Sequence, residues 1–176
     1  MKMVEKLQKR IQEGKKNNKG FSLVELIIVI AIMAILIGIV GMNVIPQIEN
    51  ARKSKDLQVL SAYLTEAMEA YTQNVSRLDP NGTYTIKITD AGAVSVEYSG
   101  SVSDDNKVAI ENSFKALSSL ETATPLKFES KAGSAIKVIV IECKNTSPMI
   151  TLTCYTNTTI ADANKSTDFE VLKSNE

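Results

Sequence analysis

The chain has 176 residues, and its 20 Lys plus Arg are matched by 20 Asp plus Glu, for a formal net charge of zero. It holds no His, no Trp and only two Cys, which removes the commonest general base, the Ser/His and Cys/His dyads and a four-ligand Cys/His zinc site within one chain. The charge is unevenly placed. Lys2, Lys6, Lys9, Arg10, Lys15, Lys16 and Lys19 face only Glu5 and Glu13 within the first 20 residues, a local balance of +5 that leaves −5 on the rest. A mildly acidic body argues against nucleic-acid binding through a basic face.

Residues 21–42 read FSLVELIIVIAIMAILIGIVGM, and only Ser22 and Glu25 among them are polar. As a helix this run is about 33 Å long, enough to cross a hydrocarbon core of about 30 Å. The basic residues just before it orient the N-terminus to the cytoplasm and the body outward. An ordinary secretory signal would be cut after the apolar run at a small-x-small site, and Asn43-Val44-Ile45-Pro46 offers none. Glu25 stands out, because an acid deep in a bilayer costs about 2.5–3.5 kcal/mol on insertion scales. It is either tolerated near the membrane edge or kept for a purpose.

After Pro46 the pattern turns amphipathic, with Leu57, Leu60, Leu64, Ala67 and Tyr71 on one stripe and Asp56, Glu66, Glu69 and Thr72 largely elsewhere. Arg52, Lys53 and Lys55 form a basic cluster, either a solvated face or a contact for acidic groups of a neighbouring subunit. Asp79-Pro80-Asn81-Gly82 ends the helix with turn chemistry. Residues 83–89 alternate as a strand, and Val94, Val96 and Tyr98 alternate again after Asp90-Ala91-Gly92, which predicts a hairpin. Residues 103–120 fit a short helix with Ile110, Phe114 and Leu117 on its apolar face, and Asp104-Asp105 as cap. Strands are expected over 136–143 and 149–155, followed by a polar tail whose apolar cluster is Phe169, Val171 and Leu172. The fold class is therefore α+β: a long N-terminal helix packed on an antiparallel sheet.

Other candidate sites are weak. The run from Asp162 to Asp168 spaces oxygen ligands like a calcium loop, but Thr167 replaces the turn Gly and Lys173 the bidentate Glu. No catalytic, cofactor or metal site is expected. The two late strands place Cys143 and Cys154 on neighbours joined by a loop over 145–148. Either a disulfide, adding about 2–4 kcal/mol, or two buried free thiols fits the sequence.

Lys19-Gly20-Phe21-Ser22-Leu23-Val24-Glu25-Leu26 resembles the processing site of type IV pilins and their pseudopilin relatives: a basic leader ending in Gly, then Phe, with Glu fifth in the processed chain. The resemblance covers the leader and the apolar run. It implies that a prepilin peptidase/methyltransferase cuts between Gly20 and Phe21 and N-methylates Phe21. The expected organisation is a cleaved leader over 1–20, a transmembrane and filament-core helix over 21–45, and an extracellular α+β domain over 46–176. Before assembly the chain would be a single-pass protein in membrane lipid. It would then pass through assembly platform proteins into a homopolymer on the cell surface, serving adhesion, motility or biofilm formation, without enzymatic activity, cofactor or nucleic acid. Glu25 would neutralise the Phe21 amine, in its own helix or a neighbour's, during assembly. Gly38, Gly41 and Pro46 mark the stretch where the helix would loosen in the filament, since Gly costs about 1 kcal/mol relative to Ala and Pro46 removes a hydrogen bond. The alternatives are a major pseudopilin of a type II secretion system and a membrane-anchored extracellular binding domain.

Overall fold

A computed structural model describes Met3 and residues 20–174; the leader expected over 1–20 lies, apart from Met3 and Gly20, outside the described residues. Two compact units divide the chain, one ending at Pro46 and the other starting at Gln47. Helix α1 covers Leu23–Asn74 and includes Pro46.

In the second unit the helix buries Leu60, Ala67, Ala70 and Tyr71, with Leu57 and Leu64 packed at the margin, so the expected stripe is the core-facing one. It lies on a five-stranded antiparallel sheet: β1 (Thr83–Thr89), β2 (Val94–Ser99), β3 (Val138–Cys143), β4 (Ile150–Tyr155) and β5 (Leu172–Lys173), in the order β2-β1-β3-β4-β5. The period-2 alternation of β1 sends Tyr84, Ile86 and Ile88 inward. Register then builds apolar rows across the sheet, such as Val96, Ile86, Ile141 and Leu152. Tyr71 meets Tyr84 with ring centroids 6.1 Å apart, joining helix to sheet.

The β1–β2 hairpin forms as expected, around Gly92 with φ of 77°. That value favours Gly, and a Cβ there would also strike the Thr124 backbone. Helix α2 covers Lys107–Leu117, shorter than residues 103–120. Asp104 accepts from the Asn106 N–H at 2.8 Å, forming a turn ahead of the helix, and Ser119 leaves it at φ 56°. Ile110 and Phe114 are buried, and Phe114 contacts Tyr63. A further one-turn helix, α3 (Lys131–Ser134), was not evident in the sequence; Ser130 caps it by accepting from the Gly133 N–H at 2.8 Å. At the tail Phe169 is buried, and Leu172 and Lys173 pair with β4 as an edge strand.

Two expectations are corrected. Asp56, placed by periodicity on the polar face, is only 2 % exposed. Its Oδ1 accepts from the Glu129 N–H at 2.9 Å, and its Oδ2 accepts from the Ser130 N–H at 2.9 Å and from the Ser130 hydroxyl. A buried carboxylate persists because these donors replace its water. The candidate disulfide between Cys143 and Cys154 is not formed; both are free buried thiols. Register is the reason: Cys143 lies opposite Ile150 and Cys154 opposite Ile139. The two cysteines are thus four strand positions apart, about 13 Å at strand rise, beyond the reach of a disulfide at about 7 Å between Cα atoms.

Burial pushes both thiols from the model-peptide value of 9.0 up to about 12. A raised folded value means the stability from protonated thiols is full below pH 9.0 and is lost as pH rises toward 12, so the urea midpoint should fall across that window. An alkylating reagent at about pH 8 should label neither thiol in the native chain and both in unreduced, denatured chain. A denatured chain that resists labelling would mean that a bridge exists.

Candidate functional site

The N-terminal unit starts irregular and becomes helical. Residues 20–22 precede α1, and the helix opens with the Leu26 N–H donating to the Ser22 carbonyl at 3.1 Å. Ser22 therefore stands at the N-cap with Glu25 three residues on, the spacing of a capping box, and Glu25 is the acid of the first turn. A carboxylate there also faces the positive end of the helix dipole. The sequence reading weighed Glu25 as an acid tolerated at the membrane edge or kept for assembly, and did not note the Ser-x-x-Glu spacing at the helix start.

Immediately before the cap, Phe21 is 85 % exposed, and a Cβ added to Gly20 would meet nothing within 4 Å. The Gly20–Phe21 peptide bond is thus outside the helix and open on its Gly side. From Leu23 to Ile45 the large apolar side chains all project outward, with Leu23, Ile37 and Ile45 each about 70 % exposed. A helix apolar on every face has no intrinsic inside and outside, and this one has no cover among the described residues of its unit. Its length and composition suffice to cross a membrane.

The stretch expected to loosen is helical here. Gly38 and Gly41 have open space where a Cβ would be, and Pro46 lies within α1. Asn43, which the sequence reading did not single out, donates its side-chain N–H to the Ile39 carbonyl at 3.0 Å and supplies a second donor in this stretch.

On the second unit, the basic cluster finds acids within the same chain. Lys53 pairs with Asp168 at 3.2 Å and sits over the Phe169 ring, Lys55 pairs with Glu129 at 3.0 Å, and Arg52 lies 4.0 Å from Glu49. The calcium-like run closes on itself, with Asp162 paired to Lys165 at 2.7 Å. Among the described residues no group of three or more His, Cys, Asp or Glu side chains gathers in a metal-binding arrangement. Cys143 and Cys154 lie in the core of the body and take no part in the N-terminal site.

The fold thus combines an exposed apolar helix, long enough to cross a membrane and preceded by a Gly-Phe bond, with a helix-on-sheet α+β body. Residues 15–41 match the family model described as the prokaryotic N-terminal methylation motif. The chain is also 43 % identical over 70 residues to the type IV wide pilus major component PilA4 of Thermus thermophilus, a match covering 40 % of this chain and 48 % of that protein. It therefore spans about half the length of the curated relative. No solved structure matches. The N-terminal part of the chain is thus similar to proteins carrying the N-terminal methylation motif and to a type IV pilus component.

The stem alone should account for membrane association. A chain beginning at Gln47 retains its own core and should remain in the supernatant after ultracentrifugation without detergent, with the circular dichroism of an α+β fold. The full chain should sediment with membranes until detergent is added. A truncated chain that still sediments would place the membrane contact elsewhere.

Proposed function

We propose that the chain is a structural subunit of a type IV pilus, non-enzymatic, stored in the membrane and polymerised through its N-terminal helix. The observation that carries this reading is the stretch of α1 from Leu23 to Ile45, whose large apolar side chains are all exposed. Lipid covers such a surface before assembly, and identical helices packed side by side cover it afterward. Lipid tails are as apolar as these side chains, so the drive from bilayer to filament comes from close helix packing and polar pairing and not from transfer out of water.

In this reading residues 1–20 are a leader removed on the cytoplasmic side by a prepilin peptidase, between Gly20 and Phe21. The Phe21 amine is methylated, residues 21–45 form the stem and residues 46–176 the outer domain. Glu25 meets a Phe21 amine in the filament, which spares the subunit an uncompensated buried charge costing about 3–5 kcal/mol. The loosening of the stretch with Gly38, Gly41 and Pro46 belongs to the assembled state, where packed neighbours satisfy a backbone that lipid cannot. Assembly platform proteins pass the subunit from bilayer to filament, and the pilus serves adhesion, surface motility or biofilm formation.

The test is electron microscopy of cells lacking the chain, which should carry no filaments of this type, together with N-terminal mass spectrometry of the wild-type product. An N-methylated Phe21 is expected; a retained Met1 would overturn the processing. Gly20→Val should leave full-length precursor on a gel, because a branched side chain occupies the open side of the bond. Glu25→Gln should be inserted and cut normally yet yield few or no filaments, and filaments of normal number and length would remove charge pairing from the account.

A further inference from the structure

The body holds one strong interaction that assembly chemistry does not use. Three consecutive backbone N–H groups of the strap just before and within α3, those of Glu129, Ser130 and Lys131, all point at carboxylates of α1. Glu129 and Ser130 donate to Asp56 at 2.9 Å each, and Lys131 donates to Glu49 Oε1 at 2.5 Å. The Ser130 hydroxyl adds a bond to Asp56, and Lys55 pairs with Glu129 across the same seam. Gly133 is required beneath it, since a Cβ would collide with the Asp56 carboxylate and with Phe128.

Glu49 and Asp56 are seven residues apart. In a helix that is two turns, about 10.5 Å along one face. In extended chain the same residues would stand about 23 Å apart, too far for both carboxylates to reach adjacent N–H groups of one short strap. The strap can therefore be satisfied only while residues 49–56 are helical. We propose that Asp56, Glu49 and the strap over residues 128–134 form a clamp that holds the start of the body's helix and sets the limit of its unwinding before Glu49. Pro46, three residues earlier, then lies outside the clamped interval. The proposal rests on the pilus-subunit reading for its purpose, since that reading calls for a stem able to change while the body does not.

The clamp is tested by hydrogen exchange with mass spectrometry on the full chain in detergent micelles, comparing wild type with Asp56→Asn. The Asn side chain keeps the shape but loses the carboxylate's charge and one of its two acceptor oxygens. Peptides over 49–57 and over 128–135 should both lose protection by about tenfold or more, while β1 and β3 keep theirs. Unchanged protection in either segment overturns the clamp, because a strap loosened without the helix is only a tethered loop. Should Asp56→Asn also expose β1 and β3, Glu49→Ala decides, since its side chain is partly exposed and lies outside the core. It should speed exchange around residue 131 and over 49–52, and wild-type exchange in both places would refute the proposal. No filament enters this assay, so its failure leaves the pilus reading to micrographs of the deletion strain.

Discussion

A helix whose every face is apolar cannot be stabilised by its own chain, and that constraint organises the protein. From Leu23 to Ile45 the side chains are exposed, with no polar stripe to turn toward water. In aqueous solution such a surface drives aggregation, in lipid it is solvated, and among copies of itself it becomes a core. In the proposed function one sequence serves two environments, and the passage between them needs a signal other than hydrophobicity. Glu25 and Asn43 are the polar residues in that run, and Glu25 sits in its first turn.

The body solves the opposite problem. It is folded by conventional means: an alternating sheet, apolar rows set by antiparallel register, and a helix whose stripe covers them. What is less conventional is the seam at the start of that helix, where carboxylates of α1 are satisfied by backbone N–H groups of a strap more than 70 residues away in sequence. Lys53 adds a second tie to the tail, at Asp168 and Phe169. These contacts gather in the first turns after Pro46, the place where a stiff body would have to begin.

Much of this was legible because the information is local. An apolar run of 22 residues admits a helix, alternation in 83–89 admits a strand, and the run from Lys19 to Leu26 lies contiguously within the residues that match the N-terminal methylation motif. The misreadings share the opposite property. Asp56 sits beside the apolar stripe, and periodicity sends a carboxylate to water unless donors arrive from elsewhere, as Glu129 and Ser130 do. Cys143 and Cys154 were correctly placed on paired strands, yet whether they meet depends on register, which the turn over 145–148 fixes and composition does not. The short α3 carries too few residues for a periodic signal, and the burial of Phe169 depends on where the tail returns to the sheet edge.

How the stem is covered is measured most directly by an electron cryo-microscopy reconstruction of filaments sheared from cells that make this chain. Residues 21–45 of many identical copies should pack against one another along the filament axis. Glu25 should lie beside a Phe21 amine within that core, and the outer domains should be arrayed outside it. Filaments in which these residues face solvent, or filaments built from another chain while this one stays in the membrane, would contradict the proposed function.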